Sequence, residues 1–126
     1  MTDDQKIGIR PEVLTKDIES TPAERFQNTT LRPVLKLQNE LLQAVFLHMM
    51  DKRKVNFRQQ SPKDQASQIE HSLSKDKRLR FQLLGVVIGQ FTTAEYAHFL
   101  KLEQEATRRI FTMMAKRLKD ELIKTI

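Results

Sequence analysis

The sequence predicts an all-α fold, an elongated bundle of about four helices with a long C-terminal helix and an extended N-terminal arm. Three observations carry this expectation. Residues 31–55 and 93–126 hold apolar side chains at helical spacing over many turns. Glycine (3) and proline (4) are too scarce for a loop-rich or all-β chain. Helix-start chemistry recurs at Thr21-Pro22, Ser61-Pro62 and Thr92-Thr93-Ala94-Glu95.

The elements follow in order. Residues 1–20 show no helical period, and Pro11 biases Arg10 away from helical backbone, so an extended arm is expected. Ile7, Ile9, Val13, Leu14 and Ile18 are too apolar for a free tail, which predicts docking on the bundle or on a neighbouring subunit. The single helical domain is expected over residues 21–126. Thr21 caps its first helix, Pro22 suits the first turn, and Glu24 stands where a capping box closes. Pro33 removes a backbone donor, so a kink or short break falls near residues 29–32. Beyond it Leu31, Val34, Leu35, Leu42, Val45, Phe46 and Met49 share one face. Ser61 starts a short helix to about Leu73, and Ser74 restarts the chain through Leu79, Leu83 and Val86. Residues 81–88 are apolar nearly all round and should be the most buried element. Val86-Val87-Ile88 is β-branched, so periodicity alone admits a strand there. Helix is retained because no second strand exists to pair with it. The last helix then runs about 32 residues without Pro or Gly, roughly 48 Å. A compact chain of this length spans only ~36 Å, so the helix should protrude or pack on another copy.

Composition excludes several function classes. There is no cysteine, hence no disulfide, zinc-thiolate site or cysteine nucleophile. Aromatics are 6% with no Trp, lean for a base-stacking platform. The longest uncharged stretch, residues 81–94, is too short to span a bilayer, and the acidic start lacks an apolar leader. A cytoplasmic location is the default expectation, with no membrane insertion. Net charge is +6 overall, yet residues 1–24 carry an excess of acid, so the remaining body is strongly basic. That body meets either its own acidic leader or an anionic partner.

The stretches Ser20-Thr21-Pro22-Ala23-Glu24-Arg25-Phe26-Gln27-Asn28-Thr29-Thr30-Leu31-Arg32-Pro33 and Gly85-Val86-Val87-Ile88-Gly89-Gln90-Phe91-Thr92 resemble a small family of uncharacterised bacterial helical proteins. The resemblance covers most of residues 10–125. Some members carry the label "glyoxalase", which implies a metal-dependent lyase built from paired βαβββ modules with His, Gln and Glu ligands. This chain has neither repeated strand modules nor such a ligand set, so no catalytic residue carries over.

Four groups of residues invite a functional reading. Glu95 and His98 have the Glu-x-x-His spacing of a di-iron bundle motif, but only one copy exists, and Glu95 is also explained as a cap. No cofactor is implied. On a continuous last helix, Glu103 and Thr107 fall within the apolar stripe, as Gln38 does on the first long helix. Together these would form a buried polar layer, either a binding site or a register-setting device. Arg117 and Glu121 also intrude on the stripe and mark an edge open to solvent or to a partner. Lys52, Arg53, Lys54, Arg58, Arg108 and Arg109 are candidate anion contacts, provided they converge on one face. Gly85-Val86-Val87-Ile88-Gly89 places small residues four apart, which allows close helix packing. Phe99, Ala106, Ile110, Met113, Met114 and Leu118 form the stripe expected to join copies of the chain.

The first expectation is therefore a self-associating helical interaction or scaffold module, a homodimer or larger homo-oligomer, rather than an enzyme. The alternative is a nucleic-acid-binding or regulatory protein using the basic body. A small metal-dependent enzyme stands third.

Overall fold

In the computed structural model, residues 1–13 and 21–123 are described. Leu14, Ile18 and residues 124–126, the end of the expected last helix, lie outside them. Every regular element among the described residues is helical, with no strand. No helix among them is long and apolar enough to cross a membrane.

The N-terminal segment is not extended throughout. Thr2 accepts a hydrogen bond from the Gln5 amide and Gln5 reaches back to the Thr2 amide, closing a capping box that starts α1 (Asp3–Gly8). The helix buries none of its residues, so no apolar period announces it in the sequence.

The first long run begins where Thr21 caps α2 (Pro22–Phe26). A π-helical turn, Gln27–Leu31, then leads into α3 (Arg32–Leu37). Pro33 has no amide hydrogen, so the backbone cannot keep its α-helical register through this turn. The Arg32 amide instead donates to the Gln27 carbonyl, five residues back. Proline therefore widens the helix here rather than breaking it. A second irregularity at Gln38 separates α3 from α4 (Asn39–Lys52). The helix α4 ends in a Schellman turn. The Val55 amide donates to the Met50 carbonyl and the Lys54 amide to the Asp51 carbonyl, with Lys54 at φ 59°.

A short 3₁₀ turn, Phe57–Gln59, precedes α5 (Pro62–Lys75), which Ser61 caps through the Asp64 amide. The restart expected at Ser74 falls at Asp76 instead. The Asp76 carboxylate caps α6 (Lys77–Ile88) at the Leu79 amide, whereas the Ser74 hydroxyl bonds back to Glu70 and His71 carbonyls. Thr92 and Glu95 then close the expected capping box on α7 (Thr93–Lys101). The last helix is not continuous. Leu102 leaves helical backbone at φ −122° and ψ 19°, and α8 (Glu103–Leu122) begins afresh.

The helix α8 packs on α5, and α4 packs on α6, around one apolar core. Leu31, Leu35, Phe46, Ile69, Leu79, Leu83, Ile110 and Met114 are fully buried in it. At one end Phe26 meets Phe91 edge-on at 5.8 Å and Phe99 at 6.5 Å. The backbone divides into more segments than the four expected, because Gln38 and Leu102 subdivide two runs that periodicity reads as single helices.

Two expectations are overturned by this packing. Phe99, Ala106, Ile110, Met114 and Leu118 lie in the chain's own core and Met113 is partly buried, so this stripe is not a free face for another copy. Its area has left water within one chain, against α5 and the first long run. Nor is α6 the most buried element. Leu79, Leu83 and Val87 are buried, but Phe81 on the opposite side is 74% exposed. Leu84 and Ile88 beside it are only half-buried.

Candidate interaction site

The outer face of α6 follows from its sequence. Phe81, Leu84, Gly85 and Ile88 recur at positions 0, 3, 4 and 7, which one turn of 3.6 residues brings into line. Leu84 and Ile88 are half-buried, while Phe81 and Gly85 are exposed. A methyl group added at Gly85 would meet nothing within 4 Å, so the middle of this face is flat and open. Leu84 and Ile88 still pack against the edge of the core, so it is Phe81 that the fold leaves without a partner surface.

Beside this face lies a groove of 990 Å³ between α5, α6 and α8, which Leu100 of α7 also lines. A smaller hollow of 200 Å³ continues it to Phe81, sharing Arg80, Leu84, Thr107 and Phe111 with the groove. The apolar lining of the groove includes Leu73, Leu84, Leu100, Phe111 and Ala115, and Leu100 is itself 49% exposed. Arg80 crosses the groove with its guanidinium 4.0 Å above the Phe111 ring and donates to the Leu73 carbonyl at the end of α5. The ring face and the carbonyl fix this cation without a carboxylate. The rim carries both signs: Glu103 and Glu70 against Lys77 and Arg108. Lys119 is already paired with Glu70.

The buried polar layer expected of Gln38, Glu103 and Thr107 does not form. The Gln38 amide donates to the Val86 carbonyl at 3.3 Å, which ties the irregularity before α4 to α6. Glu103 is exposed and Thr107 half-buried, both on the groove. The non-helical Leu102 shifts the face of α8 relative to α7, so a wheel drawn through both misplaces Glu103. Its carboxylate instead stands in the first turn of α8, where the helix dipole favours it.

Glu95, the metal candidate beside His98, is taken up by an ion pair instead. Both Glu95 oxygens accept from the Arg10 guanidinium at 2.7 Å, and His98 is exposed with its ring 5.2 Å from Phe26. No three His, Asp or Glu side chains among the described residues converge on a metal-sized site. The Glu95 carboxylate also accepts from the Thr30 hydroxyl at 3.0 Å and the Thr92 amide at 2.8 Å. Burial pushes its pKa up, but the Arg10 fork, the Thr92 amide and the Thr30 hydroxyl outweigh this and hold it below the ordinary value. Arg10 adds a bond to the Gln90 carbonyl at 2.5 Å. This cluster docks the N-terminal segment, and periodicity gave no sign of it.

The candidate anion contacts separate. Lys52, Arg53, Lys54 and Arg58 are exposed around the end of α4, where Arg53 forks onto Asp76 at 3.1 Å. That fork first, then the Leu79 amide among smaller causes, holds Asp76 below its ordinary pKa against the opposing effect of burial. Arg108 borders the groove. Arg109 faces elsewhere, bonded to Glu105 at 2.9 Å and to the Gln27 side chain at 2.7 Å.

No protein-family model, curated protein or solved structure matches this chain.

Proposed function

We propose that this chain is a self-associating helical interaction module, a homodimer formed through the outer face of α6 and the groove beside it. The observation that carries this reading is Phe81, a large apolar side chain 74% exposed at the edge of a groove lined by Leu84, Leu100 and Phe111. In a two-fold dimer each Phe81 enters the groove of the other copy, so knob and hole come from the same sequence. Rim residues of both signs suit such pairing, because Lys77 and Arg108 of one copy can face Glu103 of the other. Gly85 lets the two α6 backbones approach closely.

The driving force is modest. Burying one phenylalanine side chain stabilises by about 1.5–3 kcal/mol. Two such rings supply about 3–6 kcal/mol, less than the roughly 8 kcal/mol of a micromolar dimer, so association in that range also draws on the Leu84, Leu100 and Phe111 surface that the rings cover. Sedimentation equilibrium across the micromolar range tests this. The wild type should approach twice the 14.8 kDa chain mass at the upper end. Phe81→Ser should stay monomeric with unchanged helicity, since the ring is not part of the core. A wild type that stays monomeric throughout, or a Phe81→Ser variant that still dimerises, would refute the proposal.

A further inference from the structure

A second site lies away from α6. Arg32 on α3 and Arg117 on α8 border a common cavity of 390 Å³ that also takes in Leu35 and Met113. Arg32 is held by its neighbours. Its Nε donates to the Asn28 side chain at 3.0 Å across the π-helical turn, which leaves the two terminal nitrogens of the fork uncommitted by that bond. Arg117 is half-buried and forms no hydrogen bond or ion pair among the described residues.

Such an arrangement is costly without a ligand. Burial lowers the Arg117 pKa, and repulsion from Arg32 lowers it further, against weaker attraction from Glu121 and Asp120. Asp120 is itself engaged by Lys116 at 3.1 Å. Two guanidiniums from different helices thus border one cavity, one of them without a bound acceptor among the described residues.

We propose that the cavity between Arg32 and Arg117 binds the phosphate group of a small ligand. A dianionic phosphate accepts from both forks at once and removes their mutual repulsion, which a single surface ion pair does not. Met113, half-buried on the cavity wall, offers apolar contact to the remainder of a small phosphate ester. A nucleic-acid backbone fits less well. It needs cations spaced along a face, whereas Arg32, Lys116 and Arg117 are gathered at one cavity that Asp120 and Glu121 also line, so an anion held there must be small enough to sit on the guanidiniums.

The test uses the full chain, with inorganic phosphate and phenyl phosphate as probes and NMR of the Arg117 Nε–H and the Met113 methyl group as readout. Both signals should shift saturably in the wild type. Arg32→Gln and Arg117→Gln should each weaken binding by about tenfold or more, as expected for loss of a charged hydrogen bond. Arg117→Lys, which keeps charge but not the fork, should retain only part of the affinity. Arg108→Gln, on the groove, should bind as the wild type does. Circular dichroism separates loss of binding from loss of fold. Absence of a saturable shift would overturn the site. So would equal binding by Arg117→Gln, or displacement of phosphate by mixed-sequence DNA at far lower phosphate equivalents.

Discussion

Removing the Glu95 carboxylate should undock the N-terminal segment while leaving the rest of the fold intact. The side chains of Arg10 and Glu95 are 6% and 16% exposed, and their fork is the best-formed ion pair among the described residues. Glu95→Ala strands the Arg10 guanidinium, the Thr30 hydroxyl and the Thr92 amide together. Breaking a buried pair in a rigid core costs about 3–5 kcal/mol. Here the loss has a ceiling, because Arg10 can leave with its segment. The helix α1 buries no residue, and Ile7 and Ile9 are largely exposed. Its other polar anchors are Lys6 on the Phe91 carbonyl at 3.0 Å and Asp3 on the Thr93 amide at 3.2 Å. Once the fork is gone, peeling should cost less than burying an unpaired cation. The expected global loss is therefore nearer one charged hydrogen bond, about 1.5–3 kcal/mol. Hydrogen exchange followed residue by residue should show protection lost at residues 5–10 and kept in α4, α5 and α8. Unchanged protection at residues 5–10, or collapse of protection throughout, would refute this account of the anchor. Acid should act in the same direction. Because the folded pKa of Glu95 lies below its ordinary 4.5, the contribution is complete above that value and is lost as pH falls through the folded pKa. A titration monitored at the Arg10 Nε–H should show undocking only in that acidic window.

Three further outcomes follow from local geometry. Lys54→Gly should stabilise the fold by up to about 1 kcal/mol in urea unfolding, since glycine relieves the left-handed backbone at φ 59° at the cost of some unfolded-state entropy. Destabilisation would mean that the Lys54 side chain makes compensating contacts. Asp76→Ala should cost about 0.5–2 kcal/mol through loss of the α6 cap, and exchange at the first turn of α6 should rise. An unchanged unfolding midpoint would argue against that cap. Gly85→Ala should raise the stability of the dilute monomer by roughly 0.5–1 kcal/mol while weakening self-association, because the new methyl stands on the proposed contact face. Thermal melts at low concentration, paired with sedimentation, separate the two effects. A stabilised variant with undiminished association would move the contact away from Gly85.

Features governed by neighbours in sequence were legible, and those governed by distant contacts were not. The caps at Thr21, Ser61 and Thr92 could be read because a side-chain oxygen and an amide three residues on define them. The core face of the first long run was legible too, with Leu31, Val34, Leu35, Leu42, Phe46 and Met49 all buried. Thr2 and Gln5 also close a capping box in the structure, but the helix it starts has no buried face and so leaves no period to find. At Leu102 neither proline nor glycine marks the break, and the face expected for Glu103 was lost with it. The Arg10–Glu95 fork joins residues 85 apart and lies beyond any local rule. Residues 81–88 are the most instructive case. Their all-round apolarity reads as deep burial, yet only Leu83 and Val87 are buried, Leu84, Val86 and Ile88 are half-buried, and Phe81 is exposed. That mismatch between sequence and monomer is the basis for placing a second copy on α6.

The central claim is that Phe81 of one copy occupies the groove of another, and a half-labelled dimer tests it most directly. Mixing isotope-labelled and unlabelled chains and recording only intermolecular NOEs should connect the Phe81 ring to the methyl groups of Leu84 and Leu100 and to the Phe111 ring. A concentrated sample without these intermolecular contacts, or with contacts from a different face, would contradict the account.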